Sequence, residues 1–158
     1  MKLKGTGKMP AGKTIYLDDL AVGDVFVSEE HALDAEQIIR FATEFDPQPF
    51  HIEADAAKET YFEGLAASGW HTAAITMKLL VQSLPLSRGV IGAGGEISWP
   101  RATRPGDVLK VTSTVLELLP SRSKPDRGFV VVESLTRNQA GEVCQKLVSK
   151  VLCFRKDS

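Results

Sequence analysis

The hydrophobic positions of this chain change their period near its middle. Between residues 34 and 45, Ile38, Ile39, Phe41, Ala42 and Phe45 recur at helical spacing and predict an amphipathic helix. Asp34 stands before it as an N-cap, with Gln37 as capping-box partner. A short helix is predicted over about residues 53–60. The longest apolar helical segment opens at Ser68-Gly69-Trp70-His71 and runs to about residue 84, where Pro85 marks its end. Ala73, Ala74, Met77, Leu80 and Val81 lie along one face. Ile75 and Leu79 form a second apolar patch, and Thr72, Thr76, Lys78 and Gln82 fill narrow polar gaps. A helix apolar over most of its circumference is expected to be buried. Residues 25–33 read as a strand, and four more strands are predicted over 90–99, 107–119, 128–137 and 142–154, rich in β-branched residues. Three turns join the last four: Arg104-Pro105-Gly106-Asp107, a basic loop over 120–127, and Asn138-Gln139-Ala140-Gly141. Short turns between consecutive strands imply an antiparallel sheet. With one buried helix this gives an α+β fold, the sheet curled around the helix.

At 158 residues and 43% hydrophobic, the chain is expected to hold one domain over residues 15–158, after a flexible basic tail over 1–14. No apolar run approaches the ~20 residues of a membrane span, and no apolar region follows the basic start as in a secretory signal. A net charge of −1 argues against a nucleic-acid surface. Cys144 and Cys153 are expected on opposite faces of a strand, as reduced, half-buried thiols in a cytoplasmic protein. They lack the paired spacing of a zinc site, and no metal is expected.

The candidate chemistry lies in Asp46-Pro47-Gln48-Pro49-Phe50-His51. Each proline lacks an amide N–H and pushes the residue before it toward extended geometry, so the segment is expected to be a stiff, non-helical loop. A carboxylate and an imidazole held there can act as a general acid–base pair. The plainer reading is a proline-rich surface turn with two incidental titratable residues.

The surrounding sequence favours the first reading. The run resembles the hydratase motif Asp-x-Asn-Pro-x-His of the MaoC-like family of (R)-specific enoyl-CoA hydratases and dehydratases, which have the hot-dog fold. Ser68-Gly69-Trp70 stands where that family starts its central helix with a Gly. Gly92 to Trp99, then Arg104-Pro105-Gly106-Asp107, match its Gly-rich strand and following turn. The resemblance covers residues 20–154. There are departures: Gln48 replaces the usual Asn, Ser68 precedes the Gly where His is common, and Met77 stands where some relatives carry Ser.

The resemblance implies that Asp46 and His51 bind one water and share the proton transfers of hydration. It assigns the thioester oxygen to the backbone N–H of Gly69, in the first turn of a helix where amide donors are unpaired. Ordinary helix–sheet packing is the competing reading for Gly69. Gln48 and Ser68 fall at the same site, and Phe50, Leu65, Trp70 and Met77 are candidates for an acyl pocket. Core packing competes for Trp70 and Met77. His71 reads as a satisfied helix-start histidine and His31 as structural or exposed. Gly92, Gly94 and Gly95 read as allowing close strand–helix contact. Arg122, Lys124 and Arg127 read as a solvated loop, with coenzyme A phosphates as the alternative role.

The leading expectation is a hydratase/dehydratase acting on an acyl-CoA, or an acyl-carrier-protein thioester. It needs no cofactor beyond the coenzyme A of its substrate. The family implies a homodimer or larger homo-oligomer with sheets joined edge to edge, and neither nucleic acid nor membrane as partner. The alternatives are a thioesterase of the same fold, with Asp46 as base or nucleophile, and a non-catalytic acyl-CoA-binding subunit.

Overall fold

Five strands form where alternation and β-branching predict them. In the computed structural model, which describes residues 13–157, they are β1 (Val25–Ala32), β2 (Ile91–Ser98), β3 (Val108–Pro120), β4 (Arg127–Arg137) and β5 (Val143–Phe154). The tail expected over residues 1–14 lies almost wholly outside the described residues. The strands make one antiparallel sheet in the order β1-β3-β4-β5-β2. Along β4 burial alternates residue by residue, as it must when one sheet face carries the core.

Among the described residues four α-helices lie outside the sheet, besides a 3-10 turn at Leu17–Asp19: α1 (Ala35–Phe45), α2 (Pro49–Ile52), α3 (Ala54–Ala57) and the long α4 (Gly69–Ser83). The sheet packs on α4. Ile75 and Leu79 of its middle turns join Ile38 of α1, Leu109, Val111 and Cys144. Leu80 and Leu84 near its end join Phe26, Val115, Val132 and Cys153. This is the α+β, hot-dog arrangement that the resemblance implied. Among the described residues no helix is long and apolar enough to cross a membrane.

The capping of α1 is half as predicted. Asp34 Oδ1 accepts from the Gln37 N–H at 2.8 Å, but the Gln37 side chain donates to the Ala32 carbonyl and accepts from His31 instead of returning to the cap. The segment expected to be non-helical contains α2. Pro49 does not prevent the helix because it starts it: the first turn has no use for the missing N–H, and the fixed φ is already helical.

α4 differs from the expectation more deeply. The helix is not buried all round: of the face carrying Ala73, Ala74, Met77, Leu80 and Val81, only Leu80 is buried. Trp70, Ala74, Met77 and Val81 form an exposed stripe; Trp70 is 61%, Met77 45% and Val81 46% accessible. The side turned to the sheet carries Ile75 and Leu79 together with the expected polar gap, Thr72 and Thr76. Periodicity finds apolar stripes but not the one a sheet covers. Here hydrogen bonds allow the threonine side to go inward. Thr72 Oγ1 donates to Thr103 Oγ1 at 3.1 Å, and Thr76 Oγ1 donates to the Thr72 carbonyl at 2.8 Å. Gln145, fully buried, donates through Nε2 to Thr76 Oγ1 at 3.0 Å and accepts from Trp99 Nε1 at 2.9 Å.

Two further expectations change in the sheet. Cys144 and Cys153 are both free and both fully buried. Pairing shifts between Thr136↔Gln145 and Arg137↔Val143, so Cys144 is an extra residue in a bulge that returns it to the core face. Burial pushes both thiols up, Cys153 to about 11. The close contact at Gly95 is with a strand, not a helix: a Cβ there would run into the Val148 carbonyl oxygen. Gly94, at φ 146°, sits at the adjacent β2 bulge. β2 is an edge strand and almost entirely exposed.

The buried amide of Gln145 joins sheet to helix. Replacing it with Leu leaves the Trp99 N–H without its acceptor. Gln145→Leu is therefore expected to lower unfolding free energy by about 1–3 kcal/mol in urea titration; an unchanged midpoint would show the link to be unimportant.

Candidate active site

The site begins where α1 stops. The Asp46 N–H makes the last helical bond, to the Ala42 carbonyl at 2.8 Å, while its φ of −153° and ψ of 67° turn the chain out of the helix. Pro47 cannot continue α1. The chain re-enters helix at Pro49, and the single turn of α2 carries His51 back toward Asp46. His51 Nε2 lies 3.3 Å from Asp46 Oδ2, with His51 only 5% accessible. The two predicted catalytic residues are thus brought together.

Each is held by further contacts. His51 Nδ1–H donates to the Ala66 carbonyl at 2.6 Å. Phe50 lies edge-on to the imidazole at 4.5 Å between centroids, and Phe62 lies 6.0 Å away. Asp46 Oδ2 also accepts from Ser68 Oγ at 2.7 Å, and Oδ1 accepts from Gln48 Nε2 at 2.5 Å. Partial burial works to raise the Asp46 pKa. The Ser68 hydroxyl, the Gln48 amide and the neighbouring imidazole outweigh it and hold the carboxyl below its ordinary value.

Ser68 is the hinge between this pair and α4. It is completely buried, and its oxygen caps the helix by accepting from the Trp70 N–H at 3.2 Å while donating to Asp46. Its place next to the pair matches expectation, but its bonds make it a support for Asp46. Gln48 supports Asp46 in the same way from the exposed side. Gly69 follows at the first position of α4, and its N–H meets no acceptor among the described residues. It is an unpaired donor at the positive end of a fifteen-residue helix, one residue from the group that holds Asp46.

Sequence reasoning missed Trp99. A Cβ on Gly69 would lie 2.7 Å from the Trp99 ring, so Gly is needed here because the indole packs against its Cα. Trp70 meets Trp99 edge-on at 5.3 Å. The glycine signals a close approach, but the residue that approaches comes from the end of β2, which local sequence does not reveal.

The other candidates are less central. Leu65 is buried in the core beside Ile75 and Leu79. Met77 lies on the exposed stripe, two turns along α4 from Gly69. His71 is not satisfied as expected: it stacks on Phe41 at 4.5 Å, its buried Nδ1 has no partner, and burial lowers its pKa to about 4. His31 bridges elements, accepting from Lys78 Nζ at 2.6 Å and pairing with Gln37 at 2.7 Å. The basic loop leads into Arg127, which pairs with Asp126 and lies over Phe154. Arg88, just beyond the end of α4, lies over the same ring, which puts this loop at the opposite end of α4 from Gly69.

Residues 20–136 match the MaoC-like domain family. The crystal structure of a MaoC-like dehydratase from Rhodospirillum rubrum superposes with a TM-score of 0.90 at 57% identity, covering 91% of this chain and 99% of that one. The (R)-hydratase PhaJ1 of Pseudomonas aeruginosa superposes with a TM-score of 0.75 at 26% identity, covering 90% and 88%. In sequence, the uncharacterized protein YdeM of Bacillus subtilis is 33% identical over 126 residues, 78% of this chain and 87% of YdeM. A 3-hydroxybutyryl-CoA dehydratase of Methylorubrum extorquens is 26% identical over 117 residues, 73% of each chain. The family match spans most of the chain and the fold agrees: the chain is a member of the MaoC-like dehydratase family.

Proposed function

We propose that this chain adds water reversibly to a trans-2-enoyl thioester, carried by coenzyme A, to give a 3-hydroxyacyl thioester. The observation that carries the reading is the convergence of Asp46 Oδ2 and His51 Nε2 at 3.3 Å beside the free N–H of Gly69. With Nδ1–H committed to the Ala66 carbonyl, a neutral His51 presents the Nε2 lone pair toward a carboxylate. Two lone pairs this close repel unless a donor bridges them from one side. A water that donates one O–H to each satisfies both and is held for attack.

The roles then follow. The water oxygen bonds to C3 as one of its protons passes to the pair, and a proton from the pair goes to C2. The electron pair of the C2=C3 bond first moves toward the thioester carbonyl, whose oxygen gains enolate charge. The Gly69 N–H, backed by the dipole of α4, donates to that oxygen. One such preorganised donor is worth about 3–4 kcal/mol in a transition state. The chemistry as written uses no metal or redox group, and coenzyme A enters only as part of the substrate. The hydratase and dehydratase names of the relatives support this reading.

The working unit is a homodimer. β2 offers an unpaired, exposed edge, and the Trp70–Val81 stripe of α4 is apolar and uncovered in a single chain. A second copy pairing β2 to β2 would cover both. Light scattering at micromolar concentration is expected to return twice the chain mass or a multiple of it; a strictly monomeric mass would refute this part.

Asp46→Asn and His51→Ala each remove one acceptor of the shared water and should lower hydration kcat by about 10²–10⁴-fold with the fold retained by circular dichroism. Near-normal turnover in Asp46→Asn would refute the assignment. The Asp46 carboxyl is held below its ordinary value, so any acid limb that Asp46 sets should lie below the ordinary carboxylate range. Ser68→Ala removes one of the donors that lower it and should move the acid limb of kcat/KM to higher pH. An unmoved limb would mean that Asp46 does not titrate in the rate-determining form.

A further inference from the structure

The Arg104-Pro105-Gly106-Asp107 turn connects β2 to β3, and the proposed chemistry does not use it. It is firmly built. The Arg104 N–H donates to Asp107 Oδ2 at 2.8 Å, and Asp107, itself buried, accepts from Gln139 Nε2 at 3.2 Å. The Gly106 N–H donates to the Leu33 carbonyl at 2.8 Å, and Gly106 has the φ of 89° that such a turn requires.

From this anchored base the Arg104 side chain crosses to a different part of the chain. Nη2 donates to the Phe62 carbonyl at 2.5 Å, and Nη1 donates to those of Gly64 at 3.1 Å and Leu65 at 3.3 Å. Glu63, among them, has a φ of 55°, which non-glycine residues seldom adopt, so the guanidinium holds a loop out of its relaxed shape. The next residue is Ala66. Its N–H donates to the Phe50 carbonyl at 3.0 Å, and its carbonyl accepts the His51 Nδ1–H at 2.6 Å. Beyond it, the Ala67 N–H donates to the carbonyl of Thr103, which adjoins Arg104. Ala66 is therefore fixed from both sides by one turn.

We propose that Arg104 is a positioning residue for His51. By holding the Phe62, Gly64 and Leu65 carbonyls it presents the Ala66 carbonyl to Nδ1, fixes the proton on that nitrogen, and leaves Nε2 to face Asp46. An ammonium cannot replace it, because only a planar fork reaches several carbonyls in fixed geometry. The inference rests on the proposed role of His51, but its structural half can be measured separately.

The test uses the full chain labelled with ¹⁵N-histidine, above the pH at which the imidazoles are charged, with His51→Ala identifying the His51 signals. Wild-type protein is expected to show a single His51 tautomer protonated at Nδ1. Arg104→Met should give a mixture of tautomers and a hydration kcat at least 10-fold lower, with KM within threefold. Arg104→Lys, which keeps the charge and stands in if Arg104→Met fails to fold, should fall between. Guanidinium ion at millimolar concentration should partly restore kcat to Arg104→Ala. An unchanged tautomer in both substituted proteins would overturn the proposal, even if activity fell. A tautomer shift in a protein without hydratase activity would uphold the positioning and refute the proposed function.

Discussion

The hydrogen bond from His51 Nδ1 to the Ala66 carbonyl is the constraint on which the rest of the site depends. It decides which imidazole nitrogen faces Asp46, and so whether the pair meets as two acceptors that can share a water or as a donor and an acceptor that satisfy each other. Burial makes the bond more demanding. His51 sits between aromatic rings with almost no access to solvent, so Nδ1 has no water to fall back on. The fold supplies the carbonyl by bringing the segment before α4 under α2.

Asp46 is constrained from the other side. Ser68 does two things with one hydroxyl: it accepts from the first turn of α4 and donates to the carboxylate. That couples the position of the carboxylate to the N-terminus of the helix whose free amide would meet the thioester. The three groups of the proposed chemistry are set on α1, α2 and α4, yet two hydrogen bonds and one short connecting segment tie them into one body. Small displacements of such groups are costly to catalysis, because proton transfer needs hydrogen-bond reach.

Much of this was legible in the sequence. The strands announced themselves by alternation and β-branching, and α4 by its length and glycine start. The Asp46–His51 run marked the candidate site because prolines around a carboxylate and an imidazole hold them in place. What was illegible depends on partners distant in sequence. Which face of α4 meets the sheet was not legible because Thr72 and Thr76 are polar by type, and only Thr103, Thr136 and Gln145 make them acceptable inside. The one-residue bulge at Cys144 reversed a parity argument that holds for regular strands. Pro49 was read as a helix breaker where it is a helix starter. Trp99 and Ala66 contribute through a ring face and a backbone carbonyl, which no motif of side-chain types records.

The central claim is that the Asp46–His51 pair directs water to an enoyl carbon and not to a thioester carbonyl. The most direct measurement mixes the purified protein with crotonyl-CoA, follows loss of the conjugated-enoyl absorbance and titrates free thiol in the same sample. The account predicts that absorbance falls to an equilibrium value without thiol release, and that the product is 3-hydroxybutyryl-CoA of the (R) hand. Thiol release in step with the absorbance change would contradict it, and would make Asp46 part of a thioesterase.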